Sequence, residues 1–158
     1  MPENYSREKL KEKVKAKAYD YAVKYHGCSQ AIVAAFQEPL GLDAVTLRAA
    51  GPMVGGMGLG KICGALAGGV MVLGIKYGRS NMEEGIQGLI PGFLAAQELV
   101  KRFEKEFGTT SCFEIAGIDW TDANEAIQAL SNPEFLKKCA GVTARTAEMV
   151  AEILLERG

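Results

Sequence analysis

The chain has 158 residues, 48 % of them hydrophobic and 23 % charged, with a formal net charge of −1. This size and mix fit one globular domain with a sizeable core and exclude a disordered chain. Near-neutral charge leaves no broad basic field for nucleic acid and no acidic interaction tail.

From its start, the chain reads as a series of helices. Met1 to Lys17 is polar and lacks the apolar centre of a signal peptide. The first helix is expected after Ser6, a good N-cap, with Tyr5 and Leu10 at the two positions of a hydrophobic staple. Leu10, Val14, Ala18, Tyr21 and Tyr25 mark its apolar face, and Gly27 is the left-handed residue expected to end it. The charges between Arg7 and Lys17 form one solvated face. A second helix runs from about Cys28 to Gln37 and stops near Pro39. A third follows Asp43 and ends at Gly51-Pro52. After a glycine-rich loop, Gly51 to Gly60, a fourth runs from about Cys63 to Tyr77. The apolar run Ile62 to Ile75 has 14 residues and contains four glycines, too short to span a bilayer as a helix. The fifth helix opens with Asn81 and Glu84 at capping-box spacing and continues to about Phe107, with Pro91 expected to kink or split it. Ser111 with Glu114, and Asp122 with Glu125, open two more. The last segment begins near Pro133, after Asn132, and a break at Gly141 and Thr143 precedes a helix over Ala144 to Glu156. No strand alternation is present. The fold expected for residues 1–158 is all-α, a compact single-domain bundle of short helices with a glycine-rich loop.

The absence of a leader or span in this reading places the protein in the cytoplasm. In a reducing compartment, four cysteines are more often free thiols, metal ligands or catalytic groups than structural disulfides. Three of them, Cys28, Cys63 and Cys112, fall at or beside a predicted helix start. The partial positive charge and unpaired N–H groups there favour thiolate over thiol. Lys61, Lys137, Lys138 and His26 lie close by in sequence and add positive charge. Cys139 falls near the end of a short helix. Cysteine is also a common apolar filler, and Cys28 shares a face with Ile32 and Phe36, as Cys139 does with Phe135 and Val142. No pair has C-x-x-C spacing.

Gly55 to Lys61 fits G-x-x-x-x-G-K, but Ile62 stands where a phosphate loop needs Ser or Thr, and no strand precedes it. A second explanation is close approach of backbone N–H groups from Gly58, Gly60 and Gly64 to an anion such as a thiolate-bound iron–sulfur cluster. Gly64, Gly68, Gly69 and Gly74 would also let the fourth helix pack tightly.

The run Gly58-Leu-Gly-Lys-Ile-Cys63-Gly-Ala-Leu-Ala-Gly68-Gly, continuing to Leu73-Gly-Ile-Lys-Tyr-Gly78, resembles the C-GCAxxG-C-C family, described as redox-active. Its CGAxxG signature reads here as Cys63-Gly64-Ala65-Leu66-Ala67-Gly68. Cys28 in Tyr25-His26-Gly27-Cys28-Ser29-Gln30, Cys112 after Phe107-Gly-Thr-Thr-Ser, and Cys139 complete the pattern, over roughly residues 15 to 145. The family is also similar to the cluster-binding part of split-Soret cytochromes, whose cysteines hold a two-iron cluster. That similarity implies Cys28, Cys63, Cys112 and Cys139 as ligands, and a two-iron cluster in preference to a four-iron one. Covalent c-type haem is excluded, because C-x-x-C-H is absent and His26 is the one histidine.

Four functions follow as expectations. The first is an iron–sulfur protein that transfers electrons to a partner protein. The second is thiol–disulfide chemistry without metal, pairing Cys28 with Cys63 or Cys112 with Cys139. The third is a zinc site, and the fourth a helical interaction module. A homodimer is compatible with each. His26 reads as a capping group at a helix end. Glu83, Glu84, Glu98, Glu104 and Glu106 read as solvated faces, and Tyr21 and Tyr25 as core or interface residues.

Overall fold

The computed structural model describes residues 6–158. Its eight α-helices are α1 (Arg7–Tyr25), α2 (Cys28–Leu40), α3 (Ala44–Ala50), α4 (Gly64–Tyr77), α5 (Gly85–Phe107), α6 (Cys112–Ala116), α7 (Ala123–Leu130) and α8 (Pro133–Arg157). No strand ladder forms among the described residues. The all-α expectation holds, and no helix is long and apolar enough to cross a membrane. The Tyr5 half of the proposed staple lies outside the described residues.

Most helix starts form where local chemistry dictates. Ser6 accepts a hydrogen bond from the Lys9 N–H, Asp43 from Thr46, Ser111 from Glu114, Asp122 from Asn124 and Glu125, and Asn132 from Glu134. The full reciprocal capping box at Asn81 and Glu84 closes a single tight turn, Met82–Glu84. Gly85, at φ 59°, separates that turn from α5, so the box caps the turn and not the helix expected to open at Asn81.

Several expectations need correction. The buried line of α1 is Leu10, Val14, Ala18 and Ala22, spaced by four, whereas Tyr25 is 63 % exposed. Pro39 lies inside α2, which ends one residue later at the left-handed Gly41. That cap carries N–H bonds from Gly41 and Leu42 to the Gln37 carbonyl. Pro91 splits nothing, since α5 runs continuously from Gly85 to Phe107. Its missing N–H falls on an exposed stretch, where water can satisfy the carbonyl it leaves unpaired. α8 likewise passes through Gly141 unbroken. Thr143 does not cap a new helix; its hydroxyl donates to the Cys139 carbonyl at 2.8 Å, one turn back.

α4 is the centre of the packing. It lies against α2, α5 and α8, while α1 packs along α8 and α2. The core is filled by Ile32 and Phe36 of α2, Leu66, Val72 and Leu73 of α4, Leu99 and Phe103 of α5, and Met149, Ile153 and Leu154 of α8. Small residues on α4 permit the close approach. A side chain at Gly68 would strike the Ser29 backbone, and one at Gly69 would meet Leu99 and Val150. Gly74 faces open space and plays no such part. In this interior the Ser29 hydroxyl donates to the Ala50 carbonyl at 2.7 Å, whereas the buried Tyr77 hydroxyl has no partner among the described residues.

Candidate functional site: a four-thiol cavity

Four separate elements each deliver one sulfur. Cys28 is the first residue of α2, Cys63 is the N-cap of α4, Cys112 is the first residue of α6, and Cys139 lies in the second turn of α8. All four line one cavity of about 70 Å³. The rest of its wall is mostly apolar and includes Val54, Ile115, Trp120, Phe135 and Val142.

Three backbone devices bring them there. Consecutive positive φ angles at His26 (56°) and Gly27 (118°) reverse the chain between α1 and α2, so that Cys28 starts α2 at the cavity. The glycine-rich loop coils into a left-handed turn, with Gly55, Gly56, Met57 and Gly58 all at φ near +60°. At Gly56 a Cβ would lie 2.3 Å from the Lys61 nitrogen and 3.0 Å from the Cys112 Cβ. Finally, the extended segments on either side of Ile62 and Ser111 form one antiparallel bridge. The Cys63 N–H donates to the Thr110 carbonyl at 2.8 Å, and the Cys112 N–H to the Lys61 carbonyl at 2.6 Å. These bonds set Cys63 and Cys112 side by side although 49 residues separate them in the chain.

Gly64 backs the Cys28 sulfur. Its ideal Cβ would fall 2.4 Å from the Cys28 sulfur and 2.9 Å from the Met53 carbonyl oxygen, so only glycine leaves room for that thiol. The indole N–H of Trp120 donates to the Cys112 sulfur at 3.4 Å. Trp120 also stacks edge-on to Phe135 and lies against Gly55.

The thiols are held protonated, contrary to the expectation from their helix-start positions. Burial pushes all four upward. Cys63, only 7 % exposed, rises to about 12 through burial and the neighbouring Cys28. Cys139 rises to about 11 through burial, then Cys28 and Cys112. At Cys28, burial outweighs the backbone N–H groups of Gly55, Ser29 and Ala65 that favour the anion. At Cys112 it outweighs the Trp120 N–H. Desolvation of a charge in an apolar pocket exceeds what a helix end returns. Of the expected nearby cations, only Lys138 draws down a thiol, as the smallest influence on Cys139.

The predicted glycines divide. Gly64 lies directly against Cys28, but none of Gly58, Gly60 and Gly64 lines the cavity itself. Gly58 faces open space and Gly60 accommodates Phe113. The loop reaches the sulfurs instead through Gly55 and Gly56. No strand precedes this loop, so the context of a phosphate loop is lacking. His26 is the C-cap of α1 through its backbone N–H, bonded to the Ala22 carbonyl at 3.2 Å, and it also lines the cavity. Phe135 and Val142, which share a face with Cys139, are cavity wall. Trp120 was not anticipated. Its one signal in the sequence is that the single tryptophan follows Cys112 by eight residues.

Among the described residues, no three His, Cys, Asp or Glu side chains converge as the ligands of one ion would. Neither a curated protein nor a solved structure matches the chain. One family does, over residues 26–153, under the description "Putative redox-active protein (C_GCAxxG_C_C)". That span runs from the turn ahead of Cys28 into the core stretch of α8 and takes in every sulfur of the cavity, so the chain belongs to the C_GCAxxG_C_C family of redox-active proteins.

Proposed function

We propose that Cys28, Cys63, Cys112 and Cys139 hold an iron–sulfur cluster, a two-iron one in preference to a four-iron one, and that the protein carries electrons to a partner protein. The observation that carries this reading is the meeting of four thiols from four elements around one apolar cavity. The donor set fits. Four sulfurs are the usual ligand number, and their thiolate forms, which burial and mutual repulsion disfavour in the metal-free pocket, would be stabilised by bound iron. Such a cluster would supply one-electron chemistry. Around it, backbone N–H groups near Cys28 and Cys63 and the Trp120 indole would stabilise charge on the sulfurs, and the apolar wall would limit water.

Mononuclear zinc, the alternative for four thiolates, would need them at one tetrahedral centre, and metal analysis separates it from iron directly. Thiol–disulfide exchange needs an accessible thiolate, and burial works against that at all four positions.

The test is anaerobic purification followed by iron and acid-labile sulfide analysis. Iron and sulfide in equal amounts are expected, with visible charge-transfer absorption lost in C63S. Trp120 is the only tryptophan, so its emission should fall on reconstitution and recover on chelation. Colourless protein that takes up no iron on reconstitution, or that binds one zinc instead, overturns the proposal.

A further inference from the structure

The N-terminal half of α5 carries an apolar stripe that the fold does not cover. Ile86, Leu89, Ile90, Phe93 and Leu94 follow the spacing of one helical face and are 41–69 % exposed. The opposite face, through Ala95, Leu99 and Phe103, is the one buried in the core. Met82, 73 % exposed, stands just ahead. Together the six side chains leave on the order of 500–800 Å² of largely apolar surface in water, if each large apolar residue presents about 150–250 Å² in full. A soluble monomer rarely leaves so much in one patch, and with a polar rim it approaches the ~800 Å² that each side of a standard interface buries.

We infer that this face is the interface of a two-fold homodimer, in which α5 packs antiparallel against α5 of a second copy. The charge pattern selects that occupant. Glu83 stands nine residues before Gly92, in the turn just ahead of α5, and Lys101 nine residues after it, on the stripe's side of the helix by its spacing from Ile90 and Leu94. Neither makes an ion pair within the chain among the described residues. An antiparallel pair with its axis beside Gly92 lays Glu83 of each copy against Lys101 of the other. The apolar side chains then meet between the two ion pairs, which is the self-complementarity a two-fold contact requires. A membrane surface fits less well, because Glu83, Glu84, Gln87 and Gln97 dilute Arg79 and Lys101 along the rim instead of leaving a ring of cations. The stripe lies by the C-terminal end of α4, where Gly92 packs on Gly78, and Cys63 caps the other end. With 14 residues in α4, the two ends are about 21 Å apart. Dimerisation therefore leaves the thiol cavity open to a different partner.

Sedimentation of the whole chain at 10–100 µM tests this, with far-UV circular dichroism as the check on folding. A dimer is expected for the wild type. F93E should raise the dissociation constant at least ~30-fold with unchanged helix content. K101E should weaken the dimer about 3- to 10-fold, and E83K in the same chain should restore it. These charge variants lie outside the apolar stripe and test the register even if F93E does not fold. A wild type that stays monomeric at 100 µM overturns the inference, as does a dimer indifferent to all of these substitutions. Monomer that co-pellets with phosphatidylcholine vesicles would assign the stripe to lipid and overturn it too.

Discussion

At the residue scale, the same substitution has opposite consequences at two glycines. Gly64 lies in the first turn of α4, where alanine would ordinarily favour the helix, but its Cβ would fall 2.4 Å from the Cys28 sulfur. Overpacking of this kind costs about 1–3 kcal/mol, more than the ~0.5–1 kcal/mol of helix propensity gained. G64A should therefore lower the urea midpoint and raise the rate at which Cys28 reacts with a thiol reagent. A midpoint at or above wild type would show that the thiol moves aside without cost. The sequence made Gly64 legible through its place in CGAxxG. It could not pair Gly64 with Cys28, because a contact between chain positions 36 apart has no local signature. Trp120 was hidden for a related reason. Its partner sulfur lies in another element, and only the packing of α6 against the turn before α7 directs the indole N–H there.

At the scale of elements, caps were readable and breaks were not. Ser6, Asp43, Ser111, Asp122 and Asn132 act through side chain to backbone bonds two or three residues away, which is information the local sequence contains. Gly141 and Pro91 interrupt a helix only if nothing else holds it. In α8, burial of Ala140, Thr143, Ala144 and Ala147 along one face offsets a single glycine. Gly141 itself has nothing within 4 Å of an added Cβ and no positive φ. G141A should consequently stabilise the protein by about 0.5–1 kcal/mol in denaturant titration, the reverse of G64A. A loss of stability would mean that the helix needs a flexible point beside Cys139.

At the scale of the whole molecule, ion pairs stitch the helices together around the outside. Lys13 and Lys17 of α1 both bond to Glu38 of α2, and Arg102 and Glu98 of α5 engage Glu156 and Arg157 of α8. The two lysine hydrogen bonds lower the Glu38 carboxyl to about 2, from an ordinary value of 4.5. A carboxyl lowered in the folded state stabilises fully above its unfolded value and loses that contribution as pH falls through its folded one. The Glu38 contribution should accordingly be intact above about pH 5 and fade from 4.5 down to about 2. Thermal unfolding at stepwise pH should show E38Q with a shallower acid decline than wild type. Because the pair is exposed, the difference should shrink at 1 M salt. Parallel curves for the two proteins would remove Glu38 from the account.

By itself the sequence determined the helical class, most of the helix starts and the family pattern, because each is written in side chains a few residues apart or in a motif read along the chain. Tertiary structure alone decided that Cys28, Cys63, Cys112 and Cys139 share one cavity, that burial overrides the helix ends and keeps them protonated, and that the far half of α5 is left bare. Convergence, desolvation and exposure are sums over atoms contributed by distant segments. No window of the chain contains those sums until α2, α4, α6 and α8 have packed together.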